Sequence, residues 1–126
     1  MSVLVDSSIW IDYFRGPSQP GVLDYLIDEN LIATNDLILT ELIPALRIRR
    51  QKQLIALLAE IKQYPINIDW GEIRQMQLTC LRKGVNGIGI PDLIIAQNAM
   101  QNDLHLFTAD GHFASIGKHI PLLLYN

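Results

Sequence analysis

MSVLVDSS, residues 1–8, is the stretch that decides the fold. Val3, Leu4 and Val5 form an unbroken apolar run, the pattern of a strand buried on both faces of a parallel sheet. Asp6 cuts the run off, and Ser7 and Ser8 follow it. In open α/β sheets, ligands bind beyond the carboxyl ends of the strands, so a carboxylate at this point is placed for chemistry. It is equally placed to cap a helix, because Asp and Ser are ordinary N-cap residues. The two readings separate only if further acids converge on Asp6.

The chain has 126 residues, enough for one domain with a sizeable core, and the expectation is a single domain over 1–126. A composition that is 49% hydrophobic and 18% charged is that of a compact fold and excludes disorder. The formal net charge of -3 gives no global pull toward a polyanion, so nucleic acid would have to be met by a local basic patch or a metal. Cys80 is the only cysteine, which excludes an internal disulfide and a cysteine-ligated zinc site and fits a reducing compartment. There is no apolar run of about 18 residues and no basic, signal-like N-terminus, so the expected location is cytoplasmic, with no membrane contact.

Outward from Asp6, Ser7 to Phe14 suits a short helix that Gly16, Pro17 and Pro20 break, and Gly21 to Asp28 suits a second. Leu31 to Thr34 has the length and boundaries of a strand. From Asp36 the pattern is helical, with Leu39, Leu42, Ile43 and Leu46 at i, i+3, i+4 and i+7. Pro44 predicts a kink there or a regular part that begins only near Thr40. Leu54, Leu57, Leu58 and Ile61 mark the next helix, and Tyr64 to Ile68 is a brief extended segment. Asp69 to Lys83 is amphipathic, with Ile73, Met76, Cys80 and Leu81 inward. Asp69 and Glu72 stand at capping-box spacing, and Gly84 is the stop. Val85 to Ile90 is a glycine-containing loop, and Pro91 opens a helix that runs to about Asn102. Leu104 to Thr108 reads as a strand, Phe113 to Lys118 as a short helix and Leu122 to Leu124 as a terminal strand. Alternating strands and helices predict a three-layer α/β/α sandwich around a mainly parallel sheet of four to five strands.

Two of these strands end alike, in Val5-Asp6-Ser7 and in Phe107-Thr108-Ala109-Asp110. As parallel neighbours they would carry both carboxylates over one edge of the sheet. Asp92 and Glu41 are the other candidates, each near the start of a helix. Four gathered carboxylates repel, and without a cation some would take up protons. Oxygen-only ligands suit Mg2+ or Mn2+. His105, His112 and His119 show no metal-ligand spacing, and His112, two residues beyond Asp110, is placed to contact substrate. Each acid alone reads equally well as a cap or a solvated residue. Arg47, Arg49, Arg50 and Lys52 put four of the ten basic residues within six positions, either a solvated face or a phosphate track for RNA. Trp10, Tyr13 and Phe14 read first as core packing.

The segments VLVDSSIWIDYF, LILTEL, GIGIPDLIIAQNA and LHLFTADGHF, in that order, cover nearly the full chain. Together they resemble the PIN-domain proteins, and within them the VapC-like toxin ribonucleases of toxin-antitoxin pairs. The resemblance implies a metal-dependent endoribonuclease that binds Mg2+ or Mn2+ through Asp6, Glu41, Asp92 and Asp110. Thr108 and the hydroxyl of Ser7 or Ser8 would support the site. It further implies a homodimer and a cognate antitoxin that covers an apolar groove. Many relatives carry a further Asp where this chain has His112, which leaves a second metal position open. A receiver domain and a small phosphatase fit less well, because serines follow Asp6 where those chemistries need acids. The remaining alternative is a non-catalytic RNA-binding or scaffold protein with the same fold.

Overall fold

The computed structural model describes residues 1–16 and 21–126. Pro17 and Pro20, expected to break the chain after the first helix, lie outside the described residues. The elements in order are β1 (Val3–Val5), α1 (Ser7–Phe14), α2 (Val22–Asp28), β2 (Ile32–Thr34), α3 (Asp36–Ile48) and α4 (Lys52–Glu60). They continue with β3 (Lys62–Gln63), α5 (Trp70–Arg82), α6 (Ile90–Gln101), β4 (His105–Phe107) and α7 (Gly111–Gly117).

The strands form one parallel sheet in the order β3-β2-β1-β4, with helices packed around it as an α/β/α sandwich. Val3 pairs with Ile32 on one side and His105 on the other, and Val5 pairs with Phe107. The chain steps outward from β1 to β2 to β3, each step through two helices, and then returns to lay β4 on the opposite side of β1. That reversal makes the crevice between the carboxyl ends of β1 and β4 a topological switch point, where open α/β sheets bind ligands. Val3, Leu4 and Val5 are each 0% exposed, so the first strand is the centre of the core.

Several segments depart from the sequence reading. The outer ladder is Lys62–Gln63, two residues before the expected Tyr64 to Ile68, and its last bond runs from Tyr64 N to Thr34 O at 2.9 Å. Pro65 follows with no N–H to donate, so pairing stops. This edge strand is short, polar and exposed, which discourages pairing with another chain. Leu122 to Leu124 contributes only a parallel bridge from Leu124 to Leu106. Leu122 is buried, but Leu123 faces solvent. Nor does Pro44 delay α3, which runs from Asp36 to Ile48 with the proline inside. Asn35 secures its start by accepting from Ile38 N at 2.9 Å. Pro44 and Thr40 are both exposed, so the Thr40 carbonyl that loses its helical partner is open to water.

In α5 the inward residues are Ile73, Met76 and Cys80, whereas Leu81 is 58% exposed. It lies about 100° around the helix from Cys80 and so leaves the stripe. Gly84, at φ +70, lets the chain turn back so that Val85 N reaches Cys80 O at 2.9 Å. The expected capping box is half formed. Asp69 accepts from Glu72 N at 3.1 Å, but the Asp69 N–H donates to Gln97 Oε1 of α6, also at 3.1 Å. Gln97 Nε2 donates in turn to Glu72 Oε1 at 2.7 Å. Beside it Asn98 accepts from Asn35 Nδ2 at 2.9 Å and donates to Pro65 O at 3.1 Å. These buried amides pin α6 to α5 and to the start of α3. Trp10 is fully buried and meets Tyr13 edge-on at 6.2 Å, as core packing requires. Among the described residues, no helix is long and apolar enough to cross a membrane.

Candidate active site

Asp6 leaves the end of β1 with its N–H bonded to Phe107 O of β4 at 2.9 Å, which seats it at the switch point. Its residue is 4% exposed. It stands in the N-cap position of α1, yet its side chain caps nothing. Instead Ser8 Oγ donates to Oδ2 at 2.8 Å and Thr108 Oγ1 donates to the same oxygen at 2.9 Å. Each hydroxyl has one proton, and both are spent on Asp6. The hydroxyl oxygens then accept main-chain N–H groups, Ser8 from Ala109 and Thr108 from Asp110, each at 3.0 Å. A two-layer relay therefore ties the turn after β4 to one carboxylate oxygen, while Oδ1 takes no hydrogen bond from the described residues.

Glu41 projects from the second turn of α3 and Asp92 from the first turn of α6. Asp92 accepts from Gly89 N at 3.3 Å, closing the turn that Pro91 opens. Asp110 caps α7 by accepting from His112 N at 2.9 Å. The cap reading thus describes Asp110 and part of Asp92, but not Asp6.

The acids share one field. Loss of water raises the pKa of Glu41 above the ordinary value; the charges of Asp6 and Asp92 add to the rise, and a hydrogen bond from Ser7 opposes it. Asp92 is raised chiefly by burial, with Asp110 and Asp6 adding and the Gly89 N–H and His112 opposing. The tightest grouping is Asp92, Asp110 and His112, whose ligating atoms lie within 4.8 Å of one another. Asp6 and Glu41 stand outside that trio but within Coulomb reach of it. Among the described residues, no Lys or Arg lies within ion-pair distance of any of the four acids, and the only basic group there is His112. A buried carboxylate without a cationic partner is costly. Asp92, Asp110 and His112 offer a mixed oxygen and nitrogen donor set that fits a small divalent cation, with the charges of Asp6 and Glu41 beside it.

Arg47, Arg49, Arg50 and Lys52 are exposed around the turn from α3 to α4. Of these, Arg49 alone lines the shallow cavity of about 130 Å³ between α1 and α3, together with Ile11, Phe14, Arg15, Glu41, Leu42, Ala45 and Leu46. Arg15, which sequence reasoning passed over, belongs with it. The amides Asn35, Gln97 and Asn98 were missed as well. Their signal was an Asn before a helical run and a polar pair inside an apolar one. His112 carried no ligand spacing because Asp92 is twenty residues away in sequence and adjacent only in the fold.

No curated protein sequence matches this chain. Among solved structures it is similar to VapBC2 from Rickettsia felis bound to a promoter DNA fragment, at 21% identity and TM-score 0.78, covering 100% of this chain and 98% of that one. It is also similar to DNA-bound VapBC from Salmonella typhimurium, at 15% identity and TM-score 0.76, covering 99% and 97%. A third similar structure is Mycobacterium tuberculosis VapC20, a toxin that cleaves the sarcin-ricin loop, at 17% identity and TM-score 0.64, covering 92% and 95%. The PIN domain profile matches residues 3–119, and the chain belongs to the PIN domain family.

Proposed function

We propose that this chain is a metal-dependent endoribonuclease and the toxin of a VapBC-like toxin-antitoxin pair. The observation that carries the reading is the gathering of Asp6, Glu41, Asp92 and Asp110 at the β1/β4 switch point with no Lys or Arg among the described residues to neutralise them. Those four acids would hold Mg2+ or Mn2+. When bound, such an ion supplies charge neutralisation for phosphodiester hydrolysis, polarising the phosphoryl group and a nucleophilic water.

The chain's own residues do the rest. Ser8 and Thr108 hold Asp6 by Oδ2 and leave Oδ1 to the cleft. Glu41, whose pKa is raised by loss of water and by the neighbouring acids, would ligate the ion or position the attacking water. Arg15 and Arg49 flank the groove that ends at Glu41 and would bind backbone phosphates of RNA, with Arg47, Arg50 and Lys52 extending the track. The apolar floor of the groove, Ile11, Phe14, Leu42 and Leu46, suits a segment of a cognate antitoxin. The VapBC assemblies among the similar structures support such a partner, and a homodimer accompanies it in this reading.

The test is cleavage of end-labelled RNA by the purified chain. Cleavage should stop in excess chelator and return with added Mg2+ or Mn2+. Undiminished cleavage in chelator would overturn the proposal.

A further inference from the structure

The position two residues beyond Asp110 holds an imidazole, not another carboxylate. His112 Nδ1 stands 3.5 Å from Asp92 Oδ2 and 3.4 Å from Asp110 Oδ1. Both separations exceed the usual N–H···O distance of about 2.9 Å. They agree with two donors on one ion: at a metal–ligand length of about 2.1 Å, neighbouring ligands stand about 3.0 Å apart at an octahedral angle and about 3.4 Å at a tetrahedral one.

The ring is held in that place from two sides. Asp110 Oδ1 accepts the main-chain N–H of His112 at 2.9 Å, so the acid that caps α7 also fixes the residue beside it. Nε2 abuts the loop before α6 at Gly87, where an added Cβ would come within 3.7 Å of it and where φ is +77. The loop leaves room for an imidazole with Nδ1 turned toward the acids.

We infer that His112 is a nitrogen ligand, through Nδ1, to a divalent cation shared with Asp92 and Asp110, and that it biases the site toward Mn2+ over Mg2+. The inference rests on the reading of the acids as a metal centre. Mg2+ keeps to oxygen donors, whereas imidazole favours the transition ions, so exchanging a carboxylate for a histidine changes selectivity as well as charge. Ligation through Nδ1 places the ring proton on Nε2, against the Gly87 loop.

The experiment uses the full chain and the metal alone, with Mn2+ followed by electron paramagnetic resonance and Mg2+ by calorimetry. The wild type should show the coupling of a directly bound imidazole nitrogen in the pulsed Mn2+ spectrum, and His112→Ala and His112→Gln should lose it. Mn2+ affinity should fall at least about tenfold in both variants, with a much smaller change for Mg2+. His112→Asp should strengthen Mg2+ binding and lower the Mn2+ to Mg2+ affinity ratio. Mn2+ bound to the wild type with no imidazole coupling would overturn the inference and leave the metal centre standing. So would His112→Ala binding Mn2+ as tightly as the wild type or tighter, because His112 would then be a competing ion-pair partner. Mg2+ binding without Mn2+ binding would overturn the inference alone, and no binding of either ion to the wild type would overturn both readings.

Discussion

Thr108 shows how closely this site depends on single atoms. Its hydroxyl gives its only proton to Asp6 and accepts the N–H of Asp110, so one side chain links two of the four acids. Thr108→Val keeps the shape and removes both bonds. We expect cleavage to fall about 10- to 100-fold with an unchanged circular dichroism spectrum, as for the loss of a hydrogen bond that orients a metal-binding carboxylate. A second expectation concerns the metal-free protein. Asp92 has its folded pKa raised, chiefly by burial, so it contributes stability below the ordinary carboxylate range that is lost as pH rises through the folded value. Asp92→Asn should therefore raise the melting temperature at neutral pH in chelator, and the gain should vanish in acid. The Asn carbonyl can still accept the Gly89 N–H, which keeps the turn intact. A melting curve that shifts equally at both pH values would show that packing, not charge, is responsible. At this scale the sequence displayed the acids, but not which were caps, because a cap and a metal ligand use the same residue types and differ only in what their oxygens meet.

The elements carry the acids, and buried amides hold the elements. Asn98 bridges Asn35, at the start of the helix that bears Glu41, to the Pro65 carbonyl, while Gln97 clips the start of α5. Asn98→Ala leaves Asn35 Nδ2, in a fully buried residue, without its partner and frees the Pro65 carbonyl. The expected destabilisation is about 1–3 kcal/mol in urea unfolding, with reduced cleavage because α3 and α6 lose their mutual register. Leu4→Ala, in the central strand, should cost about 2–5 kcal/mol by leaving a cavity between the layers. Periodicity located the strands and helices, since buried strands and amphipathic helices each write their own period into the chain. It did not locate what depends on partners: where β3 ends, which way Leu81 faces, or that Leu123 misses the core.

Across the whole molecule, strand order brings together residues more than a hundred positions apart. Asp6 and Thr108 meet because β4 returns to the free side of β1. Nothing in either segment records that return; an alternating strand and helix pattern fixes the layers but leaves strand order open. The same geometry sorts the basic residues, which look alike in sequence. Arg49 lines the groove with Glu41, whereas Arg50, at φ 56 in the turn between α3 and α4, does not line it. Arg49→Glu should weaken RNA binding across sequences and lower the salt dependence by about one charge, while Mn2+ binding is kept. Arg50→Glu should do less. In the proposed function the acids at the switch point form one RNA-hydrolysing centre. Its most direct test is RNA cleavage by Asp6→Asn in Mg2+ or Mn2+, with the fold verified by circular dichroism. Cleavage should be lost while the spectrum is preserved; cleavage at the wild-type rate by a folded Asp6→Asn protein would overturn the proposed function.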